Sequence, residues 1–224
     1  MTEPPESAGT LRADLTLASP LAQLREGRLP RRLVQLYVGL ALYGFSMGLM
    51  IRATLGLGPW DVLHQGVVDR TGLSFGTIVF LTSLVVLLLW IPLRQWPGLG
   101  TVSNPVVIAV TVDLTLALID PPSHLAVRIA FAVGGIVLNA VATAAYVGTR
   151  LGPGPRDGLM TGLVRTTGRS VRLVRTLIEG SVLLVGWLLG GPLGATTVLY
   201  AFGIGPLTQL LLPYFVVSPA RPRP

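Results

Sequence analysis

A chain of 224 residues that is 51% hydrophobic and only 12% charged, with a mean hydropathy of +0.68, is far from the composition of an ordinary soluble domain, where about a quarter of the residues carry charge. Composition therefore points to an integral membrane protein, and the absence of Cys excludes a disulfide framework and a thiolate metal site. The formal net charge of +7 comes from Arg without Lys, and much of it lies between apolar runs, where it reports orientation in a membrane rather than nucleic-acid binding.

In chain order, residues 1–32 are polar and rich in Pro and Ser, with no short apolar core followed by a small-residue cleavage site. They read as a disordered cytoplasmic tail rather than a signal peptide, ending at Arg25, Arg28, Arg31 and Arg32. A hydrocarbon core of roughly 30 Å needs about 20 mostly apolar residues in a helix. Six stretches meet that need: 33–53, 74–94, 101–119, 126–149, 172–191 and 194–213. The fifth carries Arg172, Arg175 and Glu179 in its first half. Residues 214–224 form a short second tail containing Arg221 and Arg223. The segment 150–175 holds Arg150, Arg156, Arg165, Arg169, Arg172 and Arg175, whereas the GGPLG turn after the fifth stretch has no charge. The positive-inside bias then predicts cytoplasmic N- and C-termini in a bacterial inner membrane.

The stretch LGLGPWDVLHQGVVDRTGLS, residues 55–74, recurs as LGPGPRDGLMTGLVRTTGRS, residues 151–170, with eleven identities in twenty positions and no gap. The offset of 96 positions, Pro155 against Pro59, also pairs Gly39 with Gly135, Leu42 with Leu138, Gly98 with Gly194, Thr101 with Thr197 and Ile108 with Ile204. The duplication thus divides the membrane region into repeat 1, residues 33–119, and repeat 2, residues 126–213. Three spans per copy reverse the second copy relative to the first, so an all-α fold of six transmembrane helices in two inverted three-helix repeats is expected. Reading each GPxD segment as a further span would make the repeats parallel, but the segment is too short and too charged for that.

Proline at a first helical position sacrifices no hydrogen bond, and a carboxylate in the first turn is favoured by the helix dipole. GPWD and GPRD therefore read as helix starts, with Gly72 and Gly168 as stops. Two placements are open: interfacial helices flat on opposite faces, with Asp61 and Asp157 as capping groups, or re-entrant half-helices entering from both sides, since irregular backbone at depth is tolerated only inside protein or along a cavity. In the second placement Gly58, Pro59, Trp60 and Asp61 meet Gly154, Pro155, Arg156 and Asp157 in one ligand site. Helix N-termini there suit an anionic group, the carboxylates suit a cation or proton, and the exchange of Trp60 for Arg156 makes the site asymmetric.

Asp113 and Glu179 are secondary candidates, because an ionised group within hydrocarbon is expensive and by default functional. Snorkelling, and for Glu179 an i,i+4 pair with Arg175, are the structural alternatives. Gly44 and Gly48 form a GxxxG, matched by Ala140 and Ala144, that suits close packing of the first and fourth spans or a homodimer face. Trp90, Trp96 and Trp187 read as interface anchors. His64 and His124 are isolated, so no metal set is drawn and no cofactor is expected. An intramembrane aspartyl hydrolase needs carboxylates that share a proton. Arg156 beside one Asp and a helix start under each favour ionised carboxylates instead.

The run GLGPWDVLHQG, with TGLSFGTIVFL and PGLGTVSNPVVIAV after it, resembles the YczE/YyaS/YitT family of bacterial integral membrane proteins over residues 33–213. Gly56, Gly58, Pro59, Trp60, Asp61, Thr71, Gly72, Gly76 and Thr77 carry the resemblance. It implies a multi-span inner-membrane protein of the YczE type, without the C-terminal cytoplasmic domain of YitT-like members, and leaves the activity open. Two functions remain: a small secondary transporter or channel for a small solute or ion, with its site between the repeats, or a membrane scaffold that binds another protein.

Overall fold

The computed structural model describes residues 23, 24 and 27–217; the two tails otherwise lie outside the described residues. Among the described residues the fold is all helical: α1 (Leu29–Ala53), α2 (Pro59–Thr71), α3 (Phe75–Leu88), α4 (Leu99–Leu118), α5 (Leu125–Gly148), α6 (Pro155–Thr167), α7 (Val171–Leu188) and α8 (Ala195–Phe215). α1 begins inside the stretch assigned to the N-terminal tail, where Pro30 occupies its first turn.

Four helices, α1, α4, α5 and α8, are long and apolar enough to cross a membrane. The second and fifth expected spans differ from their sequence reading. The run 74–94 folds as α3, only 14 residues long and about 21 Å at 1.5 Å per residue, after which residues 89–94 turn because Pro92 cannot continue a helix. α7 has 18 residues, but Arg172, Arg175 and Glu179 fall within it. α2 and α3 together form a pair bent by 116°, a broken span or re-entrant hairpin.

The helix ends follow from the sequence. Gly72 and Gly168 stop α2 and α6 in the left-handed region, with φ of 71° and 66°. Ser74 and Ser170 then cap the next helices, their side chains accepting from the backbone N–H of Thr77 at 3.1 Å and of Leu173 at 3.3 Å, which satisfies otherwise orphaned donors.

α1 lies at the centre. Its Leu36, Leu40, Met47 and Met50 are buried with Val112 of α4 and Ile136 of α5, whereas Val110, Leu114, Leu118, Phe202 and Leu210 present large apolar side chains outward, as a lipid-facing surface requires. Gly44 sits against Ile108 and Thr111, and Gly48 against Thr115. The GxxxG therefore packs on α4 and not on the fourth span, so this face is already filled within the chain. Close approach of α1 to α5 runs instead through Gly39 against Tyr146 and Gly135 against Met50.

Contacts between the two copies are reciprocal at the offset of 96. The Thr196 N–H donates to the Leu55 carbonyl at 3.0 Å, and the Gly100 N–H to the Leu151 carbonyl at 2.7 Å. The Arg32 guanidinium donates to the carbonyls of Thr149 at 2.7 Å and Arg150 at 3.1 Å, just past the end of α5. Arg128 donates to the carbonyls of Ala53 and Thr54, each at 2.9 Å, at the end of α1. In every case exchanging the copies converts one contact into the other.

Candidate functional site

The chain leaves the end of α1 through a short extended segment that turns on Gly56, at φ +100°, and leaves the end of α5 through its counterpart at Gly152, at φ +114°. Each segment leads to an N-cap glycine in the same extended conformation: Gly58 at φ −63°, ψ 157° and Gly154 at φ −61°, ψ 159°. Pro59 and Pro155 then start 13-residue helices, with Asp61 and Asp157 in their first turns.

These starts converge. Residues 58–61 and 154–157 line a single cavity of about 660 Å³, walled in part by Tyr43, Tyr146 and Tyr200. The Arg156 guanidinium carbon lies over the Trp60 ring, 4.6 Å from its centroid. From this meeting place the helices diverge. The last turn of α2 is held where Arg70 donates to the Leu189 carbonyl at 3.1 Å, and the last turn of α6 where Arg165 donates to the Leu93 carbonyl at 2.8 Å. The eight residues read from the sequence as one ligand site are thus brought together.

The two carboxylates have different surroundings. Asp157 Oδ2 accepts a hydrogen bond from the Tyr146 hydroxyl at 2.8 Å. Asp61 is 5% exposed, and its Oδ1 meets no hydrogen-bond donor among the described residues. The nearest ring nitrogen, His64 Nδ1, is 3.4 Å away but off hydrogen-bond geometry. His64 is fully buried, its ring edge-on to Phe75 at 5.7 Å. Leaving a buried carboxylate oxygen unmet costs free energy, and the group nearest Asp61 Oδ1 is the His64 ring.

The secondary candidates divide. Glu179 lines the cavity and is engaged by Arg175 at 2.9 Å across one turn of α7. Asp113 lies outside the lining residues; its carboxylate caps α3, accepting from the Ser74 hydroxyl at 2.6 Å and the Gly76 N–H at 2.7 Å. Trp90, read as an interface anchor, is 2% exposed, and its indole N–H donates to the Pro155 carbonyl at 3.0 Å, bracing the start of α6. Trp96 and Trp187 are exposed, as anchors are.

Several residues beyond those eight help to build the site. Tyr200 packs on Gly58 and Asn104 on Gly154, and these two are themselves 96 positions apart. The Tyr200 hydroxyl donates to Asn139 at 3.0 Å, and Asn139 donates to Ser46 at 2.8 Å. Arg32 and Arg128, counted as charges, also stand at the repeat offset, and that coincidence was the available signal.

Residues 30–213 match a family of unknown function, DUF6198. The chain belongs to this family. Among its relatives, an "Uncharacterized protein" of Haemophilus influenzae is 42% identical over 177 residues, covering 79% of this chain and 81% of the relative. The "Uncharacterized membrane protein YczE" of Bacillus subtilis is 32% identical over 179 residues, covering 79% and 83%. The "Uncharacterized protein YyaS" of the same organism is 28% identical over 181 residues, covering 79% and 90%. The resemblance carried by the GPxD signature to YczE and YyaS is thereby met, and with the apolar helices it makes this DUF6198 chain a membrane protein. No solved structure matches it.

Proposed function

We propose that the protein is a small secondary transporter or channel whose solute path runs through the cavity between the two copies. The observation that carries this reading is the convergence of two helix N-termini on one cavity, with Arg156 of one start resting on Trp60 of the other. Transporter sites are commonly built from interrupted helices at the interface of inverted repeats, and non-helical backbone at depth survives only where protein or a water-filled cavity surrounds it.

In this reading the membrane is crossed six times. α3 with the turn after it, and α7, complete the second and fifth crossings, and α2 and α6 are half-helices entering from opposite faces. Reciprocal contacts between equivalent residues are what a two-fold relation between copies requires, and the divergence of α2 and α6 from a common start favours an axis in the membrane plane. The Arg-rich segment 150–175 puts the ends of α5 and α8 on the cytoplasmic side of a bacterial plasma membrane. The site binds and passes a solute, with no catalytic step.

The native absence of Cys gives a clean test. Single cysteines replacing Gly58, Asp61, Gly154 and Asp157 are to react with small polar thiol reagents and resist bulky ones, with opposite sidedness for the two copies in oriented vesicles. Free reaction of all four with bulky reagents places the helices on the membrane surface and turns the reading to a scaffold.

A further inference from the structure

Two groups of opposite charge in the cavity are left open by the fold. Asp61 is 95% buried and lines the cavity; its Oδ1 is enclosed 3.4 Å from His64 Nδ1, and its carboxylate accepts no hydrogen bond from the described residues. Arg156 also lines it, and its guanidinium rests on the Trp60 ring with no carboxylate within ion-pair distance among the described residues. The other charged groups named above are engaged: Asp157 by Tyr146, and Arg175 with Glu179 by each other. At each helix start, Pro has no N–H, and the next two backbone N–H groups, of Trp60 and Asp61 and of Arg156 and Asp157, have no acceptor within the helix.

We propose that this cavity binds a small zwitterion, with its ammonium on the Asp61 carboxylate and its acid group on the Arg156 guanidinium and the N–H groups at the helix starts. The inference rests on the cavity being the ligand site proposed above and specifies what enters it. An ammonium supplies a hydrogen-bond donor to the Asp61 carboxylate, which accepts none from the described residues. A guanidinium presents paired donors that match a carboxylate or phosphate, and a helix N-terminus reinforces negative charge. A lone anion would set its charge against buried Asp61, and a lone cation would set its charge against Arg156; a ligand carrying both charges answers both. The volume of about 660 Å³ suits a solute of amino-acid size, and Tyr43, Tyr146 and Tyr200 offer its body aromatic walls.

Titration calorimetry on the detergent-purified full chain tests this with probes on one carbon frame: phenylalanine, phenethylamine, which lacks the acid, and hydrocinnamate, which lacks the ammonium. Glycine betaine keeps the positive charge but lacks the N–H donor, and glycerophosphoethanolamine extends the zwitterions to a lipid headgroup. The expected result is at least one zwitterion bound about tenfold or more tighter than its singly charged analogues, as losing one charged hydrogen bond implies. Asp61→Asn is to remove that advantage over the acid, and Arg156→Gln the advantage over the amine. Preference for glycerophosphoethanolamine over phenylalanine assigns the site to a headgroup, and the converse to a free amino acid. Equal or tighter binding of a singly charged analogue, or no binding by any of the three zwitterions, overturns the inference without need of a variant. Zwitterion binding with all four cysteines open to bulky reagents removes the transport reading and keeps the site. Opposite-sided cysteine access with no zwitterion binding does the reverse.

Discussion

Substituting Gly56 or Gly152 by Ala tests whether the reciprocal seams between the copies hold the fold. Gly56 has φ +100°, and an added Cβ would come within 2.5 Å of the Gly194 nitrogen and 2.6 Å of its Cα. Gly152 has φ +114°, and its Cβ would come within 2.8 Å of Thr101 Oγ1 and 2.9 Å of the Gly98 Cα. A left-handed conformation costs an L-residue about 1–2 kcal/mol. The main chain of the neighbouring helix start cannot yield without stretching the Leu55–Thr196 or Leu151–Gly100 hydrogen bond, worth about 1 kcal/mol. Each variant should therefore lose about 2–3 kcal/mol, and the two losses should agree because the environments are equivalent. Gly134→Ala and Gly203→Ala, where an added Cβ meets nothing within 4 Å, serve as controls and should be neutral or stabilising by up to about 1 kcal/mol. Denaturation of the purified protein in detergent, followed by tryptophan fluorescence, reads all four. Wild-type stability in Gly56→Ala, or a large loss in one seam alone, would refute the reciprocal account.

The Arg clamps should behave as a graded pair: Arg32→Gln, at a residue 1% exposed, is expected to cost about 3 kcal/mol and the more exposed Arg128→Gln about 1–2 kcal/mol in the same denaturation assay. Asp113→Asn is expected to cost about 1–2 kcal/mol by weakening the cap on α3 while leaving phenylalanine affinity in calorimetry unchanged; a change in affinity without a change in stability would move Asp113 into the ligand site.

What local pattern encodes was legible in the sequence. The apolar runs gave the four long helices, and the GPxD copies gave two helix starts and their Gly stops, with the meeting of the starts one of two open placements. What depends on a distant partner was not. A hydropathy window passes over Pro92, at which residues 89–94 turn and α3 ends early, and it cannot register the hydrogen bond that the turned Trp90 indole makes to Pro155 across the fold. Asp113 read as an expensive intramembrane charge because its acceptors' partners, Ser74 and Gly76, lie 39 and 37 positions away. Arg32 and Arg128 read as orientation markers because a positive-inside count treats every Arg alike, although these two close the ends of α5 and α1 across the copies. Gly44 and Gly48 identified a close helix contact, but nothing in their spacing says which neighbour fills it.

The central claim is that the two GPxD starts face one another across a single cavity. Trp60→Cys with Arg156→Cys, in a chain carrying a protease site inserted between Ile119 and His124, can be treated in native membranes with a short bifunctional thiol reagent and then cut. The account predicts that the two halves remain joined in the double variant and separate in either single variant. Separation of the halves in the double variant, with both cysteines shown to have reacted, would contradict it.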